Sequence, residues 1–257
     1  MNTLKLMYHK SEQLVLGITG LVFVLLLWQI ASILELFNPL LLSSPAQIIT
    51  AGMELTAKGE LWGDVKVTII EFGVAFVGAA LIGLVLGLVM GWFKRVEYAV
   101  DPFIWFLYST PLIAFYPLLI IWFGLGFNTV VVLGFLFAVI PITVNTFSGV
   151  KGMNPILVRA ARSFGANDFQ ILTKVALPSA MPMIITGWRI GVERALIGVV
   201  VGEMFCSNAG LGFRISYYGA QLQTANLFVA LIVVVVFGLI LTQLLRIVEA
   251  RLLKWQK

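Results

Sequence analysis

The stretch VTIIEFGVAFVGAALIGLVLGLVMG, Val67 to Gly91, decides the fold, because a single ionisable residue, Glu71, interrupts an otherwise apolar run. A hydrocarbon core about 30 Å thick needs roughly 20 helical residues, so this segment is read as a helix that crosses a membrane. Ala75, Ala79, Gly83, Gly87 and Gly91 recur at every fourth position and leave a smooth stripe for close helix packing. Packing inside one subunit is the expected use of that stripe.

Five further segments meet the same length: Leu14 to Leu34, Pro102 to Phe123, Thr129 to Ser148, Pro182 to Met204 and Leu227 to Val248. The chain of 257 residues is 60% hydrophobic and 11% charged, more apolar surface than a water-soluble core of this size hides. The first run, behind Lys5 and Lys10, is read as a retained anchor, because Ala31-Ser32-Ile33 is a poor small-x-small cleavage site. The expected fold is therefore all-α and polytopic, with six transmembrane helices. Pro45 to Ala57 is read as a short amphipathic helix at the membrane surface.

Orientation follows the basic residues. Lys5, Lys10, Lys94, Arg95, Lys151, Arg159, Arg162, Lys174, Arg246, Arg251, Lys254 and Lys257 fall on one side, against Lys58, Lys66 and Arg214 on the other. The positive-inside rule then puts both termini and the connection between the fourth and fifth helices in the cytoplasm. The net charge of +5 comes from these short gaps rather than from a basic soluble domain, which excludes a nucleic-acid partner. One Cys and one His leave no intramolecular disulfide and no histidine-built metal centre.

The cytoplasmic connection reads VRAARSFGANDFQILTKVALPSAMP over Val158 to Pro182, too apolar for a simple tether. Asn154-Pro155 starts a short helix whose apolar side carries Ile156, Ala160, Ala161 and Phe164. Gly165 permits a sharp reversal. A second helix, Asp168 to Ala176, presents Phe169, Leu172, Val175 and Ala176 along one side before Leu177 and Pro178 end it.

This stretch resembles the cytoplasmic signature of the permeases of binding-protein-dependent ABC importers, which runs Glu-Ala-Ala, three residues, Gly, nine residues, then Ile-x-Leu-Pro. The chain has Arg159-Ala160-Ala161, then Gly165, then Val175-Ala176-Leu177-Pro178 at the same spacing. Arg159 stands where the signature has Glu, so no ion pair of that Glu carries over. The likeness spans essentially the whole chain. Leu61-Trp62, Asp101-Pro102, Trp122-Phe123-Gly124-Leu125-Gly126 and Asn208-Ala209-Gly210-Leu211-Gly212 look like the six-helix branch for nitrate, sulfonates, taurine or bicarbonate.

The resemblance implies a permease in the bacterial inner membrane that works as a homodimer with two ATP-binding ABC subunits. A separate periplasmic or lipid-anchored binding protein would deliver a small solute, an anion in this branch. It implies coupling helices at about residues 154–176, with Arg159, Ala160, Ala161, Phe164, Gly165, Asp168, Leu177 and Pro178 at the ATPase contact. It implies no cofactor in this chain, with ATP and Mg2+ held by the partner ATPase. The residues agree on the last point, since no Gly-Lys dipeptide occurs and hence no phosphate-cradling P-loop. Residues 1–66 would form a tail, first helix and extracytoplasmic segment, and residues 67–257 a five-helix permease core.

Ionisable groups inside a bilayer need a partner or water. Glu71 is expected to pair with Arg194, and Arg189 with Glu193 four residues on. The alternative is that Arg189 or Arg194 lines the route and attracts an anion. Glu203 with Ser207-Asn208 is a candidate outer gate or binding-protein contact. Ser109, Thr110 and Asn145 are pathway candidates, unless their side chains bond to their own helices. Pro111, Pro117 and Pro141 mark kinks or breaks. A rival reading is an ion-coupled secondary transporter in which Glu71 and Glu193 carry protons; it leaves the Arg159 to Pro178 spacing unexplained.

Overall fold

The computed structural model describes residues 2–38 and 41–253, and all the regular secondary structure among them is helical; Lys254 and Lys257 lie outside the described residues. Helix α1 (Asn2–Ile33) is followed by α2 (Pro45–Ala57), which Ser44 and Gln47 cap reciprocally at 3.2 and 2.8 Å, and by α3 (Glu60–Trp92). Next come α4 (Lys94–Ser109), a 3-10 turn (Leu112–Phe115), α5 (Tyr116–Phe123) and α6 (Phe127–Lys151). Short helices α7 (Pro155–Ser163) and α8 (Asp168–Ile171) precede a π turn (Leu172–Ala176), α9 (Leu177–Cys206), α10 (Leu211–Ala220) and α11 (Thr224–Leu252).

Val15–Ile33, Leu61–Trp92, Phe127–Lys151 and Thr224–Leu252 are each long and apolar enough to cross a bilayer. Two bent pairs raise the number of candidate spans to six if each pair is one span. One joins Asp168–Cys206 to Leu211–Ala220 at 48°. The other breaks the third crossing at Pro111, where Lys94–Ser109 and Leu112–Phe123 meet at 94°. Pro111 lacks the N–H that would continue α4, and Thr110, the residue before it, takes an extended ψ of 136° that no helix accommodates.

Leu177-Pro178, expected to end a helix, does not. The chain runs from α8 through the π turn into α9, and the Leu177 N–H donates to the Leu172 carbonyl five residues back. That wider turn moves the ladder out of register one residue before Pro178, whose ring and missing N–H disrupt an ordinary α turn.

The core is the crossing of α3, α6 and α9. In a bilayer, lipid tails are as apolar as leucine, so helices associate through close van der Waals contact and hydrogen bonds rather than by escaping water. The α3 stripe serves that contact within the chain. A methyl group added at Gly83 would lie 2.8 Å from Ile142, at Gly87 2.5 Å from Thr146 and at Gly91 2.6 Å from Val150. Helix α1 stays outside this core, and none of its apolar span is buried. Helix α2 buries Ile48 and Leu55 against Trp28, Leu61, Phe228 and Val229.

Gly87→Val is expected to destabilise the chain by about 1–3 kcal/mol, the usual cost of overpacking. Gly73→Ala on the same helix, where an added methyl group meets nothing within 4 Å, should be tolerated. Thermal unfolding of the detergent-solubilised variants checks both, and equal melting temperatures would show that the stripe carries no close contact.

Candidate functional site

Three sites lie along α9 and the segment that leads into it. The first is the elbow between α7 and α8. Asn154 caps α7 by accepting from the Ile156 N–H at 2.9 Å, with Pro155 filling the first helical position. Gly165 ends the turn with φ +80°, while its N–H donates to the Arg162 carbonyl at 2.9 Å and the Ala166 N–H to the Ala161 carbonyl at 3.1 Å. This paired pattern is the Schellman stop that glycine forms without strain. Asn167 and Gln170 then cap α8 reciprocally at 2.8 and 3.0 Å.

Two short, fully capped helices thus hold a bend whose tip is apolar and bare. Phe164 is 92% exposed, Phe169 73% and Ile156 60%. Phe169 therefore does not share a face with Ala176, which is buried, or with Leu172 and Val175, which are half-buried. Arg159 and Ala160 are exposed and Ala161, Leu177 and Pro178 half-buried. Asp168 pairs with Arg162 at 3.2 Å in the open, a bond of little energetic weight.

The second site is a cavity of about 330 Å³ where the break after α4 faces the middle of α6 and α9. Tyr108 and Thr110 from the break and Arg194 from α9 supply its polar atoms; Ile113, Phe137, Ile140 and Ile190 form apolar walls. Ser109 and Asn145 are not part of it. Ser109 donates to the Trp105 carbonyl at 2.8 Å and Asn145 to the Pro141 carbonyl at 2.8 Å, so both satisfy their own helices. Thr110 likewise donates to Phe106 at 2.7 Å, but it remains at the cavity wall.

Neither expected intramembrane ion pair is present among the described residues. Arg189 bonds to Glu249 on α11, a residue beyond the end of the sixth segment as read from hydropathy. Glu193, adjacent in sequence to Arg194, is exposed. Glu71 meets the carboxyl of Glu203, not Arg194. Arg194 precedes Glu203 by nine residues, about 13 Å along α9, so it lies too deep to reach Glu71.

Glu203 belongs to the third site, where α10 begins. Its Oε2 accepts from the Gly212 N–H at 2.6 Å and its Oε1 from the Thr68 hydroxyl at 2.6 Å. The Thr68 oxygen accepts from the Leu211 N–H at 3.0 Å, and Asp64 Oδ1 from the Gly210 N–H at 2.9 Å. Asp64 also holds Arg214 at 2.5 Å. The open N–H groups and positive end of α10 are thereby satisfied by side chains from α3 and α9. Gly210 takes φ +99°, and a side chain there would run into the Glu203 carboxyl. Glu203 is 0% and Glu71 1% exposed, so both carboxyls are enclosed by the clasp. The sequence signal for this clasp was Asn208-Ala209-Gly210-Leu211-Gly212 close behind a lone intramembrane acid, but Asp64 and Thr68 carried no signal of their own.

Among the described residues, no group of three or more metal-ligating side chains comes together.

Residues 79–254 match the family model described as "Binding-protein-dependent transport system inner membrane component". The chain is 32% identical over 257 residues to the taurine transport system permease protein TauC of Escherichia coli (strain K12), covering 98% of this chain and 94% of that one. It is 33% identical over 233 residues to the Bacillus subtilis (strain 168) protein SsuC, named for aliphatic sulfonates transport, covering 91% and 84%. Its backbone is similar to a chain of the MetNI methionine ABC transporter in an inward-facing conformation, with TM-score 0.63 at 20% identity, covering 80% of this chain and 97% of that one.

Glu203→Ala strands the Gly212 and Thr68 donors, at about 1–3 kcal/mol for each buried group left unsatisfied. The variant should melt well below wild type, whereas Ser207→Ala, which removes only a local turn bond, should not. Equal melting temperatures for the two would show that the clasp holds nothing.

Proposed function

This chain belongs to the family of binding-protein-dependent transport system inner membrane components, and from that premise we propose that it forms the solute pathway of an importer driven through residues 154–176. It is a multi-pass inner-membrane permease of an ABC importer and not the ATPase of that machine. Membership implies an ATPase and a binding protein as partners.

The finer reading has six crossings with both termini in the cytoplasm, so that the elbow at Gly165 faces the cytoplasmic ATPase. Two ATPase subunits act on two copies of this chain, and the solute is a small anion, in keeping with the sulfonate and taurine names of its relatives. Residues 67–257 form the working core and residues 1–66 a peripheral addition. A binding protein docks on the opposite face, near residues 36–64 and 207–226.

One observation carries the coupling role. Phe164 and Phe169 stand bare at the tip of a bend held by the Asn154 cap, the Gly165 stop and the Asn167–Gln170 capping pair. A rigid element with exposed aromatic tips is built to enter a pocket on another protein. The tip is also continuous with α9 through the π turn, so a displacement there is passed directly to the helix that carries Arg194. The secondary-transporter reading finds no comparable support, because Glu71 is enclosed with Glu203 rather than facing a route.

Phe164→Ala combined with Phe169→Ala should cut ATP-driven uptake by about tenfold or more, the scale of losing buried aromatic anchors, and should weaken co-purification of the ATPase. The melting temperature should not move, since both rings are exposed. Wild-type uptake by the double variant would overturn the coupling role.

A further inference from the structure

Of the four acidic and basic residues on α9, Arg189 and Glu203 have assigned neighbours, and Glu193 and Arg194 have none among the described residues. Lys151 holds Glu97 at 2.7 Å, Arg214 holds Asp64, Arg189 holds Glu249, and Glu71 meets Glu203. Among the described residues no ion pair or hydrogen bond involves Arg194, yet it sits in the middle of a 30-residue helix within a candidate span. A guanidinium at that depth is costly unless it faces water or a ligand. Arg194 faces the cavity of about 330 Å³, within the size range of small-molecule sites.

The other groups around it narrow what that ligand is. No Asp or Glu lines the cavity. Glu193 precedes Arg194, is turned about 100° from it around the helix and is not one of the lining residues. Tyr108 offers a hydroxyl that can donate, whereas the Thr110 proton is already given to the Phe106 carbonyl. The polar side is thus one fixed cation with a phenol donor beside it, and it has no acid to receive a ligand's cationic group. The remaining walls are isoleucine, leucine, phenylalanine and proline side chains. An inorganic anion would leave these walls without a partner, and a zwitterion would bring an ammonium with no acid to meet it.

We infer that this cavity is a binding station for an organic anion with an apolar body and no cationic group, with the anionic head on Arg194 and Tyr108 and the carbon chain against the α6 and α9 walls. The inference rests on the permease reading above and deepens it by selecting among anion classes. It makes Arg194 a specificity-determining residue. It also separates aliphatic sulfonate-like solutes from an amino-sulfonate such as taurine at the level of this chain, apart from any choice made by a binding protein.

The test uses the full chain assembled with its ATPase in nanodiscs, without binding protein, and butane-1-sulfonate as the probe. Equilibrium dialysis should give saturable binding to wild type. Arg194→Gln should weaken it by about 10- to 100-fold, the range for losing a hydrogen bond to a charged group, and Arg194→Lys should recover part of the loss. Tyr108→Phe, a change that removes one oxygen and no packing volume, should weaken binding several-fold while leaving the melting temperature unchanged. Nitrate and 3-aminopropane-1-sulfonate should compete at least tenfold less well than pentane-1-sulfonate.

The inference is overturned if wild type does not bind the probe. It is equally overturned if Arg194→Gln and Tyr108→Phe both bind as wild type, or if the amino-sulfonate or nitrate competes as well as the alkyl sulfonate. Adding ATP and the binding protein to the same preparation separates the two claims. Uptake that is ATP-driven but indifferent to Arg194→Gln removes the station and spares the importer. Binding that follows the expected pattern without any ATP-driven uptake removes the importer and spares the station.

Discussion

The contact on which the rest depends is the crossing of α3, α6 and α9 at Gly134. A methyl group placed on Gly134 would lie 2.6 Å from Val199 and 3.1 Å from Ala75, and one on Gly198 2.8 Å from the Gly134 Cα. The helices lie this close because Gly134 and Gly198 bring no side chain to the meeting point and α3 brings only the Ala75 methyl. In lipid such contact is the main source of association, so the small residues set both how close the helices lie and their relative heights. Height then determines chemistry. It brings Thr68 and Asp64 of α3 level with the start of α10 and places Arg194 opposite the break after α4.

Helix α9 connects the three sites. The elbow feeds into one end of it, Arg194 projects from the middle into the cavity, and Glu203 near the other end clasps α10. Thirty helical residues span about 45 Å, more than the hydrocarbon core of a bilayer. Along its length α9 packs on α6 through Gly187, Gly191, Gly198 and Gly202. The proline break between α4 and α5 leaves a gap beside α9, and the cavity occupies that gap.

Much of this was legible in the sequence because bilayer physics leaves few options. Apolar length gave the candidate spans, and Ser44-Pro45 and Asn154-Pro155 gave the starts of α2 and α7. The four-residue stripe of α3 predicted a close neighbour, which is α6. Gly165 announced the reversal that closes as a Schellman stop. Hydropathy, however, reports depth and says nothing of direction around a helix. The partners of Arg189 and Glu71 were therefore misassigned, since Glu249 lay past the expected end of α11 and Glu203 was read as facing outward. Pro111 signalled a kink or break, but the 94° between the two halves was not legible from it. Asp64 and Thr68 read as ordinary polar residues at a helix start until α10 was seen to rest on them.

The central claim is that this chain moves solute only as the passive part of a machine whose energy comes from ATP on a separate polypeptide. Proteoliposomes holding the chain, its ATPase and its binding protein measure this directly when solute accumulation is followed against a gradient. The account predicts uphill uptake that stops on ATP depletion and continues when a proton uncoupler collapses the ion gradient. Uphill uptake by the chain alone, abolished by the uncoupler and indifferent to ATP, would contradict it.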